Sequence, residues 1–202
     1  MSDITEVDKS DRAGLYLSVA FAAIGIVGMV ANTIQRLIEV APGKDIPVLV
    51  PLNGESAQLP LGPNGEAFTA QVDTATVLVA DPAPATLFAL WAQPIVIGLS
   101  WSVGLVLAAM FCLRLARGQA FGKTTARIVY AAASVLIFGW FAGSILTNMS
   151  TNGAMSAISD YTYDSVVFTA SFGPMFAALL IAAVGVALQV GEKLERETDG
   201  LV

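Results

Sequence analysis

The side chains that could do chemistry in this chain fall into three sparse groups. The first is a set of amides: Asn32 and Gln35 near the end of one apolar run, Gln93 near the start of the next, and Asn148 near the end of a third. Buried amides need hydrogen-bond partners, so this set predicts a polar cluster that ties helices together. The alternative reading of the same set is a polar crevice able to hold a small ligand or a lipid headgroup. The second group is the basic face Arg114, Arg117, Lys123 and Arg127, which encloses Gly118-Gln119-Ala120-Phe121-Gly122-Lys123-Thr124. A phosphate loop needs four residues between its glycines and a strand before them, and this stretch has three and follows an apolar run. It reads as a tight turn, with Thr124 or Thr125 capping the helix that follows. The third group is the acid pair Asp160 and Asp164, which lacks any supporting residue and reads as a solvated loop.

The chain has no histidine, and Cys112 is its one cysteine. The usual general base, zinc ligand and disulfide are therefore missing. No catalytic residue, cofactor or metal site is expected, and the chain reads as a non-enzyme.

The elements that must position these groups follow from where charge is excluded. Of 202 residues, 16 are acidic and 10 basic, yet residues 13–35, 82–113, 128–159 and 165–191 contain none of them. Each stretch exceeds the roughly 20 apolar residues that cross about 30 Å of hydrocarbon. An ordinary soluble enzyme is excluded. Helices are expected near 14–37, 86–115, 124–148 and 167–195, with Asn148, Ser150, Thr151, Asn152 and Gly153 marking the end of the third. No charge sits deep in any span, which argues against an ion-coupled relay. Pro94 and Pro174 should kink their helices or delay their start.

Four spans place both termini on one side. Lys9, Arg12, Arg114, Arg117, Lys123, Arg127, Lys193 and Arg196 fall there, against Arg36 and Lys44 opposite. By the positive-inside rule that side is cytoplasmic. The acidic residues divide evenly between the sides, so the whole net charge of -6 is external. Tyr16 and Tyr130 lie at the inner boundary, and Trp91, Tyr161 and Tyr163 at the outer one, as interfacial belts do. Trp101 and Trp140 fall mid-span, where packing is expected. The acid-rich start and long first apolar run read as a retained helix rather than a cleaved signal peptide.

Between the first two helices, residues 38–85 read as β. Apolar Ile46, Val48, Val50 and Leu52 alternate before Asn53-Gly54, a strong hairpin signal. Ala57, Leu59 and Leu61 alternate next, then Pro63-Asn64-Gly65 supplies a second turn, and Phe68, Ala70 and Val72 alternate after it. This predicts a three-stranded meander with one apolar face, which Thr76 to Ala80 extends or joins as a fourth strand. Pro47 and Pro51 put the first strand at an edge. So small a sheet must cover something: its own helices or a partner. Gly139 and Gly143 form a G-x-x-x-G in the third helix, and Gly98/Ser102 and Gly104/Ala108 are small pairs in the second. Packing inside a bundle is the first reading of these, and a homo-oligomer seam the second.

Four helices, an outer β insert, Gly118-Gln119-Ala120-Phe121 and a charged tail Leu194-Glu195-Arg196-Glu197-Thr198-Asp199-Gly200-Leu201-Val202 occur together. In these the chain resembles the bacterial membrane family catalogued as domain of unknown function 2975. The resemblance implies a four-helix membrane protein with no assigned activity. It also implies a cytoplasmic protein partner, a small DNA-binding regulator, and no direct contact with nucleic acid.

The expected architecture is an all-α membrane protein, a four-transmembrane-helix bundle with a small extracytoplasmic β-meander between helices 1 and 2. Residues 1–37 form the cytoplasmic start and first span, 38–85 the β-rich insert, and 86–202 the remaining spans with the basic turn and tail. The expected function is a sensor, scaffold or regulatory membrane partner in the bacterial cytoplasmic membrane. The alternative is a passive transporter, channel or lipid- or small-ligand-binding protein.

Overall fold

The computed structural model describes residues 8–119, 122–162 and 168–199. The start of the acid-rich N-terminal segment and Ala120, Phe121, Tyr163, Asp164 and Gly200 to Val202, named above, lie outside the described residues. The elements are α1 (Lys9–Val40), β1 (Ile46–Leu59), β2 (Phe68–Val79), α2 (Pro84–Ala116), α3 (Lys123–Ile158) and α4 (Gly173–Asp199). Four helices are long and apolar enough to cross a membrane. Only 6% of the apolar window of α1 is buried, against 33% of that of α3. Phe21, Ile24 and Val27 on α1 are each more than 60% exposed. Surfaces this apolar suit hydrocarbon rather than water.

The chain divides into two compact units. Unit 1 comprises the described residues of Met1–Gln35, Pro94–Gly143 and Ala170–Val202, and unit 2 those of Arg36–Gln93 and Ser144–Thr169. The three longest helices contribute to both.

In unit 1, glycines set the helix contacts. A Cβ on Gly98 would collide with Thr33 of α1, and one on Gly139 with the Ser100 side chain of α2. One on Gly143 would lie 2.9 Å from Ile97 Cγ1. The G-x-x-x-G of α3 thus receives α2 within the same chain. A Cβ on Gly185 of α4 would meet the Tyr130 ring of α3 at 3.1 Å. Trp140 donates its indole N–H to Ser171 O at 2.6 Å and tilts against Phe172. Pro94 lies inside α2, while Gly173 and Pro174 open α4, where a missing N–H costs nothing.

In unit 2 the sheet has two antiparallel strands, not three. Asn53-Gly54 is not a hairpin turn. It lies within β1, where the register breaks between Pro51 and Glu55, and Gly54 takes the left-handed conformation, with φ 82°. Pro51 faces Thr74 and Glu55 faces Val72, so both halves of β1 pair with the single strand β2 across a bulge. The chain reverses at Pro63-Asn64-Gly65, with Asn64 and Gly65 both at positive φ. Thr76 to Val79 continue β2.

One face of the hairpin carries Ile46, Val48, Val50 and Val79, all buried. Val40 from the end of α1, Leu90 of α2, and Ala154 and Met155 of α3 complete the same core. The apolar face therefore covers the protein's own helix ends. A two-stranded sheet is marginal alone, and each buried Val or Ile contributes roughly 1.5–3 kcal/mol here.

That packing also explains why α3 does not stop at Asn148 but runs on to Ile158. Two of its polar residues bond along the helix. The Ser150 hydroxyl donates to Thr147 O at 2.9 Å and the Asn152 amide to Asn148 O at 2.8 Å. Gly153 fits closely against Thr86, and the two residues after it are core. Tertiary burial outweighs the weak local propensity.

Candidate functional site

Of the four predicted amides, Asn32 and Gln35 are exposed on α1. The residue between them that turns inward is Thr33, whose hydroxyl donates to Met29 O at 2.8 Å. Asn148 is buried and fully used. Its amide donates to Ser144 O at 2.8 Å and to Thr169 O at 3.0 Å, and its carbonyl accepts from Thr169 N–H at 2.8 Å. Asn148 is thus a clamp that fastens the segment after α3, not part of an open site. Gln93, half-buried on α2, donates to Thr147 Oγ1 of α3 at 2.8 Å.

Gln93 also lines a crevice of about 460 Å³ within unit 2. Arg36 and Glu39 come to it from the end of α1. Thr147, Ser150 and Thr151 come from α3. Val48, Leu49 and Thr76 come from the hairpin, and Leu90 from α2. Spacing of three and four residues puts the α3 hydroxyls on one helix face. Arg36 Nη1 and Glu39 Oε2 form an ion pair at 2.8 Å, one turn apart on α1. Arg36 and Glu39 are charged, so the crevice holds one cation and one anion against neutral polar and apolar walls. Such a lining can orient a small polar solute.

The sequence reading named Gln93 for this region but missed Arg36, Glu39 and the α3 hydroxyls. Ser150 and Thr151 belong to the polar run expected to end the helix, and Thr147 lies just before it. Their spacing was the available signal.

The basic group behaves differently from its sequence reading in one respect. Arg114 is half-buried and donates from Nε to Thr125 Oγ1 at 2.9 Å, and Thr125 donates on to Gln119 O at 3.0 Å. Thr125 is fully buried inside α3 and locks the turn rather than capping the helix. Gly118, with φ 73°, closes α2: its N–H binds Leu115 O, and the next N–H, of Gln119, binds Arg114 O. This is a glycine helix stop that uses up the carbonyls of the last turn, not a phosphate cradle. Arg117, Lys123 and Arg127 are exposed. Cys112 is a half-buried free thiol, and Asp160 is an exposed residue with φ 50° just after α3.

Unit 1 has a different cavity, about 240 Å³, lined by apolar side chains and Gly104 between α2, α3 and α4. The chain matches no protein-family model, no curated protein and no solved structure.

Proposed function

We propose that this chain is a non-enzymatic multi-pass protein of the bacterial cytoplasmic membrane that binds a small polar solute on its outer side. Binding is signalled to a protein partner inside. The crevice of unit 2 carries the reading: a volume of about 460 Å³ walled by Arg36, Glu39, Gln93, Ser150 and Thr151. Ligand sites are concave and bring polar groups together to orient what they hold, and this crevice sets seven polar or charged residues beside four apolar ones. The distribution of Lys and Arg supports the orientation, with the crevice outside and both termini in the cytoplasm.

On the inner side, the exposed Arg117, Lys123 and Arg127 and the charged end of α4, where Lys193 lies 3.8 Å from Glu197, offer the surface for a partner. By the family resemblance that partner is a small DNA-binding regulator. The apolar lining of the unit 1 cavity supports a sensor rather than a pore.

The test is a thermal-unfolding screen of the full chain in detergent against amino acids, sugars, polyamines and nucleosides. The wild type is compared with Thr76→Trp, which fills the mouth of the crevice from an exposed strand position. A solute that stabilises the wild type and not the variant supports the reading. If no class separates the two proteins, the crevice is not a binding site.

A further inference from the structure

The charge pattern of the crevice points to a ligand class. We infer that it takes a zwitterionic solute of the amino-acid type, with the ligand carboxylate on Arg36, the ammonium on Glu39 and an apolar side chain against Val48, Leu49 and Leu90. This rests on the proposed reading of the crevice as a solute site. Arg36 and Glu39 are the charged groups of the lining, and they neutralise each other at 2.8 Å. Their side chains are 25% and 39% exposed. An ion pair that open to water contributes little by itself, so a ligand can replace it at small cost.

What may replace it is restricted. A monoanion would take Arg36 and leave Glu39 without a partner. A simple cation would do the reverse, so either ligand gains one charged contact and gives up the ion pair. A sugar would have to compete with the ion pair using neutral hydroxyls. A ligand with both charges on neighbouring atoms satisfies both residues at once. The planar guanidinium fork also matches a carboxylate in bidentate fashion.

A second observation points to the same place. Thr151 is 4% exposed and lines the crevice. Its hydroxyl has no hydrogen-bond partner among the described residues, yet it is not sealed from solvent. Ser150 beside it spends its proton on Thr147 O and keeps acceptor capacity. Together they offer a donor and acceptors next to the charged pair. The apolar part of the wall, Pro47, Val48, Leu49 and Leu90, is aliphatic. An apolar amino acid is the expected guest.

The probes are L-leucine, N-acetyl-L-leucine, leucinol and glucose, titrated into the full-length protein in neutral-detergent micelles while its thermal midpoint is followed. Leucine should raise the midpoint in a saturable way. N-acetyl-leucine, which lacks the ammonium, and leucinol, which lacks the carboxylate, should not. These comparisons use the wild type alone, so they do not depend on a variant folding. Arg36→Gln and Glu39→Gln should each weaken leucine by roughly tenfold or more, the loss of a charge-assisted bond. Thr151→Val should weaken it by about three- to tenfold, the loss of a neutral bond. Equal responses to leucine and leucinol, or a leucine response unchanged in both Gln variants, would overturn the inference. Glucose binding that Thr76→Trp abolishes, with no response to leucine, would overturn it too and leave the crevice standing as a site.

Discussion

Ile46→Ala is the sharpest probe of how unit 2 is held together. Ile46 has no exposed surface and packs in the core with Val40 of α1 and Met155 of α3. The substitution removes three carbons. At about 0.8 kcal/mol per buried methylene the transfer loss is about 2.4 kcal/mol. An unfilled cavity raises the total to about 3–4 kcal/mol. With tenfold in an equilibrium for each 1.4 kcal/mol, the hairpin should open roughly 140 to 700 times more often. Hydrogen–deuterium exchange of the detergent-solubilised protein reads this directly, because β2 amides exchange when the hairpin lifts. Leu78→Ala is the control: Leu78 is 63% exposed on the same sheet, and its loss should stay within about 0.5 kcal/mol. Peptides covering Phe68–Val79 should therefore exchange much faster in the first variant and unchanged in the second. If both variants exchange alike, the apolar face is not buried on the protein's own helices, and the account of unit 2 fails.

Three further outcomes are expected. Gly139→Leu should lower the thermal midpoint sharply because its side chain would enter the space of Ser100, whereas Gly28→Ala, with nothing within 4 Å, should be neutral or stabilising by up to about 1 kcal/mol. Thr125→Val should cost about 1–3 kcal/mol by leaving its partners in a buried turn unsatisfied, while Lys123→Gln at an exposed neighbour should leave the midpoint unchanged. On the proposed topology, Lys44→Cys in a Cys112→Ala background should react with a membrane-impermeant maleimide in whole cells, and Lys193→Cys only after lysis; the reverse pattern would invert the orientation.

The helices were legible because charge exclusion over more than twenty residues has almost no other cause in a folded chain. The buried face of the hairpin was legible for a related reason: a period of two at Ile46, Val48 and Val50 marks one side of a strand wherever its partner lies. What misled was local punctuation. Asn53-Gly54 turns a chain only if the segments flanking it pair with each other, and here both pair with β2, so the glycine's positive φ serves a bulge instead. Ser150 and Thr151 looked like the end of a helix because nothing nearby in sequence shows that Ala154 and Met155 will be buried. Among the amides, one residue of helical register, about 100°, decides between Thr33 facing inward and Asn32 lying exposed. Periodicity over four residues of a uniformly apolar helix is too weak to make that choice.

Helix length explains how unit 2 comes to hold a crevice. At 1.5 Å per residue, α1, α2 and α3, with 32, 33 and 36 residues, run about 48–54 Å. A bilayer core uses about 30 Å. The surplus of each helix is what unit 2 is made from: 36–40 of α1, 84–93 of α2 and 144–158 of α3. A hairpin of this size could not fold by itself, and three bare helix ends would leave Val40, Leu90 and Met155 exposed. Each supplies the apolar partner the other lacks. The core takes one side of the hairpin and one side of each helix end, so the remaining polar faces are left to converge. Arg36, Gln93 and Thr151 line a crevice because the same helix ends hold the sheet. A substitution that loosens the core, Ile46→Ala above all, should therefore weaken the proposed solute binding even though Ile46 is not itself a lining residue of the crevice.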